Sequence, residues 1–270
     1  MRLGALDPGL LLNGAVTAGV LGACMALLWL ISIRIRNISI VDIFWGPGFG
    51  VVALLTYFLS GEAGLESRKI LLTTLTVAWS LRLGIYLLRR NHGKGEDPRY
   101  TAAFRNRHPH NLHAHTLIRV FLLQGLLIWL ISAPVQVGSY LAQPDHLGAP
   151  AILGCVLWLV GFAFEAIGDA QLARFKADPA NRGKVMDRGL WRYTRHPNYF
   201  GDACLWWGLF AIACDHWIGL LTIFSPLLMT HFLLNVTGKR MLEKRLQKSR
   251  PEYAAYVART SGFFPLPPRR

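Results

Sequence analysis

The sequence predicts an all-α, polytopic integral membrane protein, a single domain with seven transmembrane helices and a cytoplasmic C-terminus. Of its 270 residues, 53% are hydrophobic and only 16% are charged, whereas about a quarter of the residues in a soluble domain are charged. Apolar runs of about 20 residues, enough to cross about 30 Å of hydrocarbon, recur along the chain. Lysine and arginine are concentrated in alternate loops.

Seven apolar segments are predicted to span the bilayer. The first is too long for the apolar core of a signal peptide, and no small-residue cleavage site follows it. The sixth is short and forms a closing hairpin with the seventh, turning at Cys214-Asp215-His216. The predicted spans are Leu10–Ile33, Ile38–Leu59, Ile70–Leu88, Leu117–Tyr140, Ala151–Ala173, Tyr199–Ala213 and Trp217–Val236.

The positive charges orient these spans. With seven spans, 24 of the 29 Lys and Arg lie on one side, in the segment after the first span, the loops 89–116 and 174–198, and the tail. Only Arg2, Arg68 and Lys69 lie on the other side. Because excess positive charge marks cytoplasmic loops, the C-terminus is predicted to be cytoplasmic. The same distribution explains the net charge of +14, so we expect no nucleic-acid partner.

Three observations limit the kinds of site. The loops 60–69 and 141–150 carry no cluster of titratable groups, so function is expected on the cytoplasmic face. The four cysteines form no CxxC pair, and the histidines at 108–115 have no carboxylate close by, so no metal site is predicted. The segment Gly46-Pro-Gly48-Phe-Gly50 lies inside a span and does not complete a dinucleotide-binding GxGxxG.

Polar residues at one-turn spacing lie at the cytoplasmic ends of the last three spans. Charged groups in hydrocarbon are costly and usually functional, although they could simply hydrogen-bond the helices together. Three such stripes beside basic loops favour a shared polar cavity. The stripes are Glu165 and Asp169, then Asn198 and Asp202, then His231, Asn235, Lys239 and Glu243.

The segment Gly189-Leu-Trp-Arg-Tyr-Thr-Arg-His-Pro-Asn-Tyr-Phe-Gly-Asp202 resembles the C-terminal signature of membrane steroid 5α-reductases and their bacterial relatives. Sterol reductases and isoprenylcysteine carboxyl methyltransferases belong to the same superfamily. The resemblance covers roughly Glu165 to Pro265. It extends more weakly to Asp42-Ile-Phe-Trp45-Gly46-Pro47 and to Arg82-Leu-Gly-Ile-Tyr86.

This resemblance implies a bundle in which residues 1–145 form the substrate side and residues 146–270 bind NADPH. Asp169, Asn198 and Asp202 would contact the nicotinamide-ribose end, while guanidinium groups suit the phosphates. Abundant arginine favours NADPH, with its 2′-phosphate, over NADH. The implied cofactor residues are Arg82, Arg90, Glu165, Asp169, Arg174, Lys176, Tyr193, Arg195, His196, Asn198, Tyr199, Asp202, Lys239 and Glu243.

Asp42 is the expected catalytic acid. Hydride addition to an enone builds negative charge on its carbonyl oxygen, and a buried acid aimed at that oxygen lowers the barrier. The alternative for Asp42 is a helix N-cap role, which Ser39 also suits. The steroid reductases carry a catalytic tyrosine three residues before the arginine that Arg82 matches, and here that position is Trp79. Either Asp42 acts alone, or Tyr86 substitutes, or the chemistry differs.

The sequence therefore predicts a multi-pass membrane reductase, in the inner membrane if the chain is bacterial. It would transfer a hydride from NADPH to the C=C bond of a conjugated enone in an apolar steroid-like or lipid substrate from the bilayer. The alternative is an S-adenosylmethionine-dependent membrane methyltransferase of the isoprenylcysteine type, which shares Arg-His-Pro-x-Tyr-x-Gly. Asn198 and Asp202 favour the reductase, because the methyltransferase pattern does not require both. A lipid-binding or scaffold role would leave the polar stripes unexplained.

Overall fold

The computed structural model describes residues 8–107, 110–236, 243, 246–247 and 250–269. Within them the chain is all-helical, as predicted, and its only extended pairing is an isolated bridge between Thr194 and Ser261. The principal helices are α1 Pro8–Ile35, α2 Ile40–Ser60, α3 Glu66–Asn91, α4 Leu112–Ile131, α5 Ala149–Ala177, α6 Pro197–Ala213, α7 Trp217–Val236 and α8 Tyr253–Arg259.

Six of these helices, α1 to α5 and α7, are long and apolar enough to cross a membrane. The chain is therefore a multi-pass membrane protein. Helix α6 has 17 residues, which at 1.5 Å per residue gives about 25 Å, short of a hydrocarbon core of about 30 Å. The seventh span and the side of the C-terminus stay predictions.

The predicted fourth span, Leu117–Tyr140, has different bounds in the structure. Helix α4 begins at Leu112 and ends at Ile131, and a separate short helix covers Ala133–Gly138. The break at Ser132 follows from Pro134, which has no N–H and whose ring would clash with the carbonyl four residues earlier. Within α4, Leu117–Leu122 is a π-helical segment. An apolar run does not reveal such a break.

The chain packs as two compact units. The first comprises Met1–Gly148 with Ile212–Thr222, and the second comprises Ala149–Ala211 with Ile223–Arg270. The predicted single domain, divided at residues 145 and 146, stays a prediction.

In the first unit, small residues let α2 and α3 pack backbone against side chain. A Cβ on Gly50 would lie 2.6 Å from Ser80 Oγ, and one on Gly84 would lie 2.8 Å from Pro47 Cγ. Ser80 Oγ also donates a hydrogen bond to the Gly46 carbonyl at 2.7 Å. The glycine-rich segment of α2 therefore serves helix packing, as small-xxx-small motifs do in membranes.

The first unit also contains a buried ion pair that the sequence did not predict. The loops 60–69 and 141–150 were expected to carry no titratable cluster, yet Arg68 is fully buried. Its Nη1 donates to the Leu141 carbonyl at 2.7 Å, and its Nη2 lies 3.8 Å from Asp215 Oδ2. Asp215 accepts a further hydrogen bond from the Gly148 N–H at 2.9 Å. These contacts fasten the start of α3 to the loop and turn beside it.

In the second unit, glycines bring the backbones of α5 and α6 into contact. Gly154 and Gly161 are seven residues apart on α5, and Gly201 and Gly208 are seven apart on α6. A Cβ on Gly201 would lie 2.4 Å from the Gly161 carbonyl oxygen, and one on Gly208 would lie 2.6 Å from the Gly154 oxygen. A Cβ on Gly168, the next glycine at this spacing, would lie 3.3 Å from the Asn198 nitrogen. The two helices cannot approach this closely with any larger residue at these positions.

We predict that Gly201→Ala lowers the free energy of unfolding by about 1–3 kcal/mol, because the added methyl overpacks the contact. The control is Gly22→Ala on α1, where a Cβ meets nothing within 4 Å and the substitution favours helix. Thermal unfolding of both variants in the same detergent measures the effect. Equal melting temperatures would contradict the packing argument.

Candidate functional site

The ends of α5 and α6 form a buried polar cluster in the second unit. Glu165 and Asp169 are each 3% exposed and Asp202 is 8% exposed. Asn198 Nδ2 donates a hydrogen bond to Asp169 Oδ1 at 3.1 Å. Two of the predicted stripes therefore do meet, because the close packing around Gly168 brings the start of α6 against α5.

Only the NH₂ group of the Asn198 carboxamide makes a hydrogen bond with a residue that the structure describes. Its Oδ1 is buried and has no hydrogen-bond partner among the residues that the structure describes. A buried carbonyl without a donor costs about 1–3 kcal/mol, which a ligand with an N–H or O–H group would recover. A ribose hydroxyl or a carboxamide N–H has this chemistry, so the cluster fits the nicotinamide-ribose end of NADPH.

Arg195, predicted to contact the cofactor, binds the tail. Its Nε and Nη2 donate to Glu243 Oε1 at 2.8 Å and Oε2 at 3.3 Å, a bidentate pair. Its Nη1 donates to the carbonyls of Val257 at 3.2 Å and Thr260 at 2.5 Å. All three guanidinium nitrogens thus contact protein groups, and the arginine ties the start of α6 to the tail.

His196 joins Arg195 and Glu243 in a clamp between the start of α6 and the tail, and Tyr199 packs against His196. His196 Nε2 lies 3.1 Å from Glu243 Oε1, and the His196 ring stacks on Tyr199 with centroids 5.2 Å apart. Burial alone would raise the pKa of Glu243, but hydrogen bonds from His196 and Arg195 lower it to about 2. Glu243 is therefore a charged anchor at neutral pH.

The remaining predicted cofactor residues of this unit are less enclosed. Arg174, Lys176 and Tyr193 are exposed. Lys239 lies outside the described residues. Their predicted contacts with NADPH stay predictions.

In the first unit, Asp42 pairs with a tyrosine that the sequence did not single out. Tyr100 Oη donates to Asp42 Oδ1 at 2.6 Å, and Arg99 Nη2 donates to Asp42 Oδ2 at 3.4 Å. The N-cap residue of α2 is Ser39, whose side chain makes no capping bond. The N-cap alternative for Asp42 is therefore wrong. Burial and the nearby Asp42 raise the pKa of Tyr100 above its ordinary value, so its hydroxyl keeps its proton at neutral pH.

The loop that carries Tyr100 is fixed by Glu96. Its carboxylate accepts hydrogen bonds from the Ile38 N–H at 2.8 Å, Thr101 Oγ1 at 2.8 Å and Arg105 Nε at 2.6 Å. Burial would raise the pKa of Glu96, but these donors lower it below its ordinary value. Asp97 then caps the short helix Pro98–Tyr100 by accepting from the Arg99 N–H at 2.9 Å. The Asp-Pro pair marks a helix start in the sequence, but nothing there indicates which side chain Tyr100 meets.

The other residues predicted around the acid have packing contacts. Trp79 is fully buried, with its ring 5.4 Å from that of Phe49 in an edge contact. The Arg90 guanidinium lies 5.7 Å from the Tyr86 ring centroid, and Arg82 is half-buried on the same helix. Their predicted catalytic and cofactor roles stay predictions.

Comparison with known proteins identifies the family. Residues 28–260 match a family model described as a protein of unknown function, DUF1295, a family that includes steroid 5α-reductase-like proteins. The chain belongs to the DUF1295 family. An uncharacterized protein of Schizosaccharomyces pombe, C594.04c, is 24% identical over 272 residues, covering 88% of this chain and 75% of that protein. No solved structure matches the chain.

We predict that Glu243→Gln lowers the free energy of unfolding at neutral pH by about 2 kcal/mol, because charge-assisted hydrogen bonds to Arg195 and His196 weaken. A folded-state pKa of about 2, below the ordinary value, means that this stability is present above about pH 4.5. It is lost as the pH falls toward 2. The difference from wild type should therefore shrink across that window in thermal unfolding. Glu252→Gln, an exposed substitution in the tail, is the control and should track wild type throughout.

Proposed function

We propose that the chain is an NADPH-dependent membrane reductase that transfers a hydride to the C=C bond of a conjugated enone in an apolar, steroid-like or lipid substrate. The observation that carries the proposal is the Asp42–Tyr100 hydrogen bond of 2.6 Å. It is a proton-donating pair in a chain whose family includes steroid 5α-reductase-like proteins. The buried carboxamide and carboxylates of α5 and α6 support cofactor binding in the second unit.

The residues that would hold NADPH follow from their contacts. Asn198 Oδ1 can accept from a ribose hydroxyl or the carboxamide, while Asp169 orients the Asn198 side chain through its 3.1 Å hydrogen bond. When bound, NADPH supplies the hydride. The clamp formed by Arg195, His196 and Glu243 positions the start of α6 and hence the Asn198 side chain.

The Asp42–Tyr100 pair is the proposed source of the proton and of the stabilisation of the carbonyl oxygen. The Tyr100 hydroxyl holds a proton at neutral pH and is placed by Asp42 on one side, with Gln124 Nε2 3.5 Å from its oxygen. A substrate carbonyl that reaches this pair accepts a hydrogen bond as negative charge develops on its oxygen, which lowers the barrier to hydride transfer. In this proposal, Tyr100 takes the role of the family's catalytic tyrosine, whose position is occupied by Trp79 in this chain. The sequence alone suggested Tyr86 for that role.

The membrane arrangement belongs to the same proposal. Helix α6 crosses as a seventh span, tilted or locally thinned to match its length, and the C-terminus lies in the cytoplasm. This arrangement follows from the charge asymmetry of the loops. In a bacterial cell the protein would occupy the inner membrane.

The competing function is methyl transfer from S-adenosylmethionine, since Arg195, His196, Tyr199 and Gly201 fit the motif of the isoprenylcysteine methyltransferases. Methyl transfer to a carboxylate requires no proton donor, so it leaves the Asp42–Tyr100 pair without a role. That pair favours the reductase.

We predict that Tyr100→Phe and Asp42→Asn each lower kcat for reduction of a Δ4-3-keto steroid by about 10²–10⁴-fold, the range of general acid catalysis. The dissociation constant of NADPH should not change, because the loss acts in the transition state. Tyr57→Phe, which removes a hydroxyl bonded to Glu66, is the matched control. Normal turnover by Tyr100→Phe would reject the acid pair and leave Tyr86 to be tested.

We predict that Asn198→Ala and Asp202→Ala each weaken NADPH binding by one to two decades, since each loses a buried hydrogen bond to the cofactor worth about 1–3 kcal/mol. NADH should bind more weakly than NADPH to wild type. Asn106→Ala removes an exposed carboxamide and should bind like wild type. Titration of each protein with NADPH, NADH and S-adenosylmethionine measures these affinities and distinguishes the reductase from the methyltransferase. Binding of S-adenosylmethionine alone, lost in Asn198→Ala, would establish the methyltransferase instead.

A further inference from the structure

A second polar region of the second unit lies outside the proposed cofactor site. It is a cavity of about 550 Å³ between the loop that follows α5 and the end of α8. Its lining residues are Asp187, Arg188, Gly189, Arg192, Arg259, Thr260 and Pro268.

The charges of this cavity suit an anion. Arg259 Nη2 donates to Asp187 Oδ2 at 2.5 Å, so this pair neutralises itself. Arg188 and Arg192 are exposed, and their guanidinium groups make no hydrogen bond or ion pair with any residue that the structure describes. They differ in this from Arg195, whose three nitrogens all have protein partners. Two available guanidinium forks match the oxygens of a phosphate.

The surface next to the cavity is apolar. Tyr193, Phe264 and Leu266 are 44%, 64% and 52% exposed. The Leu266 N–H donates to the Tyr193 carbonyl at 3.0 Å, and the Arg269 N–H donates to the Arg259 carbonyl at 2.8 Å. The apolar residues therefore lie on the same two segments as the cavity wall. Aromatic and aliphatic side chains beside arginines, near the end of a spanning helix, are typical of the bilayer interface.

We propose that this cavity binds the phosphate of an anionic phospholipid headgroup, with Arg188 and Arg192 as its ligands. Tyr193, Phe264 and Leu266 lie against the acyl chains of the same leaflet. A soluble phosphate would need the arginines but not the apolar surface. We therefore favour a phospholipid as the source of the bound phosphate. The site depends on the membrane character of the chain and not on the proposed reductase chemistry.

The test uses the full chain in nanodiscs and native mass spectrometry. Wild type should retain phosphatidylglycerol in preference to phosphatidylcholine. Arg188→Gln with Arg192→Gln should reduce that preference about thirtyfold, at about 1 kcal/mol per interfacial arginine. The matched control, Arg182→Gln with Lys184→Gln, removes the same charge from exposed positions of the same loop and should retain the preference.

Several results would overturn the proposal. The first is the absence of a preference for the anionic lipid in wild type, a result that needs no variant to fold. The second is an equal loss of the preference in the control pair, which would indicate general charge attraction. The third is an increase in the melting temperature of wild type with inorganic phosphate that equals the increase with the lipid, and the fourth is a loss of NADPH affinity in the Arg188/Arg192 variant with its lipid preference unchanged. Either of these last two would identify a site for soluble phosphates.

Discussion

The contact between the backbones of α5 and α6 is the constraint on which the second unit depends. A Cβ on Gly201 would meet the Gly161 oxygen at 2.4 Å, so the two helices can touch only where both lack side chains. Because the hydrophobic effect does not drive helices together in lipid, the van der Waals contacts made at this close approach stabilise the helix pair. It also determines which polar groups meet, because the Asp169–Asn198 hydrogen bond forms where the glycine contact ends.

The tail stabilises this arrangement through contacts with the start of α6. Arg195 precedes α6 and binds Glu243, Val257 and Thr260, while Thr194 Oγ1 donates to the Phe263 carbonyl at 2.8 Å. These contacts hold the start of α6 against residues some fifty to seventy positions later in the chain. Arg195 and His196 therefore hold the start of α6, which carries Asn198, against the tail. Their predicted contacts with the cofactor stay predictions.

The sequence predicts features that depend on local patterns and misses those that depend on distant contacts. Apolar runs placed most helices within a few residues, as for Leu10–Ile33 against the observed Pro8–Ile35. The break before Pro134 was missed because the apolar run continues across it. Tyr100 was missed because its partner Asp42 is 58 residues away and only the fold of the intervening loop brings them together.

Two carboxylates of the candidate sites, Glu243 and Asp42, differ in what surrounds them. Glu243 is held by two cationic or potentially cationic groups at 2.8 and 3.1 Å, so it stays ionised and serves as an anchor. Asp42 receives its short hydrogen bond from a neutral phenol, while Arg99 lies farther away at 3.4 Å and bonds to Asp97 at 2.8 Å. Because Asp97 neutralises that arginine, Asp42 interacts mainly with a group that can share a proton. In the proposed mechanism, Asp42 therefore positions the Tyr100 hydroxyl, which is the proton donor.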